Sequence, residues 1–137
     1  MVSSFSPEAW ELSGSANSAS HGWGSRAAVD LLSDVLGIDL AAPGGSELSI
    51  SIPDTGLTQA EGTRPTQHGT VASSWKHDAS GTSLTTTIPV NTTAVVELPA
   101  GDYAATGRGD LRPVEVAGGD GTVRYEVGSG TWSFVSK

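Results

Sequence analysis

The chain has 137 residues, 36% of them hydrophobic, which is enough for one domain with a buried core and too apolar for wholesale disorder. A formal net charge of −8 with no Lys/Arg cluster sets aside a nucleic-acid partner, which needs such a cluster to displace counterions, and disfavours an anionic membrane surface. Eighteen glycines, seven prolines and many Ser and Thr are poor helix material, so the expected class is mainly β: an antiparallel β-sandwich preceded by an irregular segment and one short α-helix.

Residues 1–24 show no sustained period and are expected to be irregular. The opening MVSSFSPEAW lacks the basic start and apolar stretch of a signal peptide, and Met1-Val2 reads as a start placed inside a longer reading frame. Ser25 is placed as the N-cap of a helix over 26–36, where Ala27, Ala28, Leu31, Leu32, Val35 and Leu36 recur at helical spacing. Gly37 stands where a glycine ends a helix. A helix of that length is marginal alone, so its apolar stripe must pack on something.

After Ala41-Ala42-Pro43-Gly44-Gly45 the period changes to two. Leu48, Ile50 and Ile52 alternate with polar residues over 47–52, and Pro53-Asp54 closes that strand. A strand over 69–76 places Val71, Ser73 and Trp75 on one side. The turn Asp78-Ala79-Ser80-Gly81 leads into 83–88, where Leu84, Thr86 and Ile88 share a face. Further strands are predicted at 93–98, 103–106, 114–116, 122–127 and 131–135, with Gly118-Gly119-Asp120-Gly121 as a hairpin turn. Leu48, Ile50, Trp75, Leu84, Ile88, Val96, Tyr125 and Phe134 are the predicted inward residues. The composition break near 37–46 divides the chain into a helical lead-in, 1–40, and a β domain, 41–137.

Candidate chemistry is concentrated near the start. His21 and Trp23 stand in SANSASHGWGS, where small residues surround one imidazole and one indole. They either contact a ligand, the indole giving an apolar face, or Trp23 anchors the helix start and His21 is a structural hydrogen-bonder. Glu11 follows Trp10 and is either a carboxylate whose pKa is raised by burial against an indole or a solvated surface residue. His68 and His77 are expected on the surface, and three scattered histidines without cysteine show no metal-ligand spacing. A cysteine-free chain survives in either redox environment, so its compartment is open. Arg108-Gly109-Asp110 spells an adhesion tripeptide in an expected loop, Asn91-Thr92-Thr93 is a formal glycosylation sequon, and no serine lies in a G-x-S-x-G pattern. No run of about 18 apolar residues is present to span a bilayer.

Taken in order, Trp10-Glu11, SASHGWGS, the helix end LLSDVLGI and Pro43-Gly44 resemble the last part of bacterial α-L-rhamnosidases, glycoside hydrolase family 78. Gly69-Thr70-Val71 leading to Ser74-Trp75-Lys76, IPVNTTAVVELPAGDY over 88–103 and EVGSGTWSF over 126–134 extend the resemblance across most of the chain. The resemblance implies that residues 1 to about 40 end an (α/α)₆ catalytic barrel and that a C-terminal β-sandwich follows, with no metal or cofactor. It implies an inverting hydrolase of rhamnose-containing glycosides, with Glu11 as general base and Glu8 as the competing assignment. His21 and Trp23 would line the sugar pocket. The general acid and most sugar contacts would lie in earlier segments, so this chain alone is expected to be inactive. Two other readings stay open on the residues: a free-standing carbohydrate-binding sandwich, which needs exposed aromatics on one sheet face, and a structural or adhesion module. Trp75, Trp132, Tyr103 and Tyr125 each fall within a predicted strand and are expected to be core plugs, which leaves that aromatic platform thin.

Overall fold

A computed structural model describes residues 26–110, 112–119 and 121–137. The chain divides into two compact units, Met1–Leu31 and Leu32–Lys137. Of the first unit the described part is the start of one helix, α1, Arg26–Asp30, whose ends are joined by an Arg26 Nε to Asp30 Oδ1 pair at 3.4 Å. The helical path continues as a wider π-turn over Leu31–Val35, so the 26–36 helix is regular only in its first part. Tertiary contacts within the second unit account for the change. The Val35 carbonyl accepts the Trp75 indole N–H at 3.2 Å, and Leu36 turns into the core. Gly37, with φ +75°, ends the helical path in the left-handed conformation expected of a terminating glycine. Ser25, the predicted cap, lies outside the described residues.

The second unit is a two-sheet sandwich. Its strands are β1 (Ile38–Leu40), β2 (Glu47–Ser51), β3 (Gln59–Thr66), β4 (Gly69–Asp78), β5 (Gly81–Ile88), β6 (Thr93–Pro99), β7 (Tyr103–Gly109), β8 (Val114–Val116), β9 (Thr122–Val127) and β10 (Gly130–Ser136). The first sheet has the order β1-β2-β6-β9-β8 and the second β3-β4-β5-β10-β7. After β2 the chain crosses to the second sheet for β3 to β5, then returns to lay β6 beside β2. That return makes β2–β6 parallel, with Leu48 opposite Ala94 and Ile50 opposite Val96. The other strand pairs described are antiparallel, so the expected sandwich is present with one parallel pair inside it.

Alternation explains the core. Ile38, Leu48, Ile50, Val96, Leu98 and Val127 from the first sheet meet Val71, Trp75, Leu84, Ile88, Trp132 and Phe134 from the second. The Tyr125 and Phe134 rings pack across the two sheets at 5.0 Å between centroids, tilted by 38°. Each of the eight residues predicted to face inward is buried. Two of the buried aromatic side chains place their polar heads on carbonyls. The Trp132 indole donates to Gly128 O at 2.8 Å and the Tyr103 hydroxyl to Pro99 O at 2.9 Å.

Two strands escaped the sequence reading. β1 is three residues long, too short for a period. β3 reads QAEGTRPT, and its half-buried positions are Ala60, Gly62, Arg64 and Thr66, so it carries no branched aliphatic alternation. Its Pro65 is tolerable because β3 is the edge of its sheet.

Candidate functional site

Glu8, Glu11, His21 and Trp23 all lie outside the described residues, so the sandwich is where geometry can be read. His68 occupies the two-residue turn between β3 and β4, its backbone N–H donating to Thr66 Oγ1 at 3.2 Å. His77 stands on β4, exposed, with Nδ1 2.7 Å from Thr82 Oγ1. Among the described residues no group of three His, Asp or Glu side chains is placed to hold a metal. None of the helices described is long and apolar enough to cross a membrane.

Arg108-Gly109-Asp110 is not the loop expected. Arg108 and Gly109 belong to β7, paired with Thr131 and Gly130 of β10, and the Asp110 carboxylate accepts the Ser129 hydroxyl at 2.6 Å. The reason is the Trp132 ring, which lies against the backbone of β7. A Cβ on Gly109 would fall 2.1 Å from Ser129 O and 2.4 Å from Trp132 Cζ2. The glycine of the tripeptide is thus a packing requirement, and its carboxylate is committed within the fold. Gly109→Ala is expected to cost about 1–3 kcal/mol through overpacking, read as a lower urea midpoint with an unchanged slope.

Asn91 sits exposed at φ +57° in the connection between β5 and β6. Around the β4–β5 turn, Asp78 accepts the Ser80 side-chain and backbone donors, and Lys76 Nζ lies 3.0 Å from it. The Ser80 hydroxyl, then Lys76, hold the Asp78 carboxyl down at about 2 against an ordinary 3.8. A depressed folded-state pKa gives stability that is complete above the ordinary value and fades as pH falls from 3.8 through about 2. The melting temperatures of the wild type and Asp78→Asn should therefore differ near neutrality and converge near pH 2. Burial, then the Glu115 carboxylate directly opposite on β8, push the Tyr125 phenol above its ordinary value.

The largest cavity described is an open trough of about 540 Å³ on the outer face of the first sheet. Ala41, Val95 and Val114 give it apolar walls, with Glu47, Glu126 and Arg112 along it. Sequence reading did not single these residues out. The available signal was the alternation of 122–127, which sends Tyr125 and Val127 inward and Glu126 outward. Carboxylates and a guanidinium around valine can hold a polar surface. No hydrogen bond described joins a histidine to a serine hydroxyl or to a carboxylate there, so the trough shows no activated nucleophile. Nor does an aromatic platform exist among the described residues, because Trp75, Trp132, Tyr103, Tyr125 and Phe134 are all buried. The reading of the four as core plugs holds, and the carbohydrate-binding alternative loses the surface it needs.

Comparison with known proteins gives the two-sheet unit its family. The family model described as "Bacterial alpha-L-rhamnosidase C-terminal domain" matches residues 37–110, just over half of the chain. The chain belongs to the bacterial α-L-rhamnosidase C-terminal domain family.

The solved structures similar to this rhamnosidase C-terminal domain agree. The Streptomyces avermitilis α-L-rhamnosidase, solved in complex with L-rhamnose, is 31% identical with a TM-score of 0.72. The match covers 88% of this chain and 12% of that one. An α-L-rhamnosidase from Dictyoglumus thermophilum matches 96% of this chain and 16% of its own at 21% identity, TM-score 0.73. The Aspergillus terreus α-L-rhamnosidase matches 88% of this chain and 12% of its own at 24% identity, TM-score 0.64. The latter two show the shared fold. The rhamnosidase C-terminal domain thus spans only a small part of the length of each of these three enzymes. No curated protein compared with the sequence matches it.

Proposed function

We propose that this chain is the C-terminal part of an inverting α-L-rhamnoside hydrolase. The segment up to about residue 40 carries the end of its (α/α)₆ catalytic barrel, and the sandwich, whose first strand is β1 (Ile38–Leu40), buttresses that barrel. The observation that carries the reading is the family match over residues 37–110, supported by 31% identity across 88% of the chain to an enzyme solved with L-rhamnose. Inversion needs two carboxyl groups about 6.5–9.5 Å apart, one protonating the leaving oxygen and one activating a water on the opposite face. Glu11 is the base in this proposal, activated beside Trp10, with Glu8 as the competing assignment. His21 and Trp23 contact the sugar, the imidazole through hydroxyls and the indole through C–H faces. The general acid lies in upstream barrel segments, so the partner ligand is a rhamnose-containing glycoside bound by the longer protein.

The test is turnover of an aryl α-L-rhamnoside by a protein made from the complete reading frame and by the 137-residue chain. The proposal expects turnover from the first and none from the second. Activity on another aryl glycoside with none on the rhamnoside would overturn the substrate assignment.

A further inference from the structure

We infer that residues 33–40 are a strap by which the sandwich grips the last turn of the helical segment, and that Arg64 on β3 is its latch. The inference rests on the proposed buttressing role for its meaning in the longer protein. Its physical content lies wholly in the second unit.

The inner face of β3 is cut to receive this segment. A Cβ on Gly62 would lie 3.1 Å from Leu36 Cδ2, so the side chain missing from the strand is supplied by the strap. Two positions on, the Arg64 side chain is only 14% exposed. Its Nη1 donates to Ile38 O, lies 3.4 Å from Ser33 Oγ and stands 3.6 Å from Asp39 Oδ1. All three acceptors belong to residues 33–40. A guanidinium withdrawn this far from water needs acceptors, and its planar fork suits several at once.

Other elements hold the same segment. Trp75 Nε1 donates to Val35 O at 3.2 Å, and the Ser51 N–H donates to Gly37 O at 2.8 Å. Ile38 is fully buried opposite Ile50. Lifting the strap would expose Leu36 and Ile38 and strip Arg64 of its partners together. The three-residue β1 on the sheet edge has little else to hold it, so the strap opens as a unit and Arg64 sets how often.

The experiment is amide hydrogen exchange on the full 137-residue chain, comparing wild type with Arg64→Met, which keeps a long aliphatic stem and removes the fork. The Ser51 amide and the amides of the strap should exchange about tenfold faster or more, the size expected when hydrogen bonds from a charged donor are lost. The Val96 and Phe134 amides, on interior strands of the two sheets, should change by less than about twofold. Gly62→Ala, which pushes Leu36 outward without touching Arg64, should accelerate the same strap amides and serves if Arg64→Met does not fold. An unchanged Ser51 amide, or equal acceleration in both sheets, would overturn the strap. Neither result depends on rhamnosidase activity, so failure here is distinct from failure of the proposed function.

Discussion

Trp75→Ala is expected to destabilise the sandwich by about 3–5 kcal/mol, the range for removing a large aromatic side chain from a packed core. The side chain is 2% exposed, part of the core formed by both sheets, and its indole satisfies the Val35 carbonyl. Alanine would leave a cavity and an unpaired acceptor together. For a domain of this size the loss should lower Tm by at least about 10 °C, measured by calorimetry. Trp75→Phe should cost less, since it keeps most of the apolar area and loses the indole hydrogen bond, worth about 1 kcal/mol. An unchanged Tm in Trp75→Ala would contradict the burial on which the core assignment rests.

The second large effect concerns chemistry in the longer protein. Glu11→Gln should lower kcat by about 10²–10⁴, because glutamine keeps the shape of the side chain and cannot take a proton from water. The loss should fall on kcat more than on KM, since the base acts on the transition state and not on sugar binding. The measurement is steady-state kinetics on an aryl α-L-rhamnoside, with Glu8→Gln in parallel. A nearly silent Glu11→Gln with an inactive Glu8→Gln would move the base to the neighbouring assignment. Silence in both would remove the general base from this stretch of chain.

Most of the sandwich was legible because its strands obey a simple rule. Where apolar residues alternate with Ser and Thr the pleat sorts alternate positions to opposite faces, and in β5 Leu84, Thr86 and Ile88 all fall on the buried one. β3 was illegible because its inner face is completed by residues distant in sequence. Gly62 looks like a strand breaker until Leu36 occupies its place, and Arg64 looks like a solvated charge until the Ile38 carbonyl meets it. The same remoteness hid the strand character of Arg108-Gly109, which depends on Trp132 lying against β7. The parallel β2–β6 pair is likewise a property of the path between sheets and not of either strand's residues. At the candidate site, sequence proposed Glu11, His21 and Trp23 through family resemblance. Local pattern could not choose between Glu8 and Glu11, because both carboxylates stand within one turn's length of Trp10.

The most direct test of the central claim follows the anomer released by the longer protein. Proton NMR in the first moments of α-L-rhamnoside hydrolysis, before mutarotation, reads the configuration at C1. A single displacement by water activated at a carboxylate predicts β-L-rhamnose as the first product. Initial release of α-L-rhamnose, or no rhamnose at all, would contradict the account.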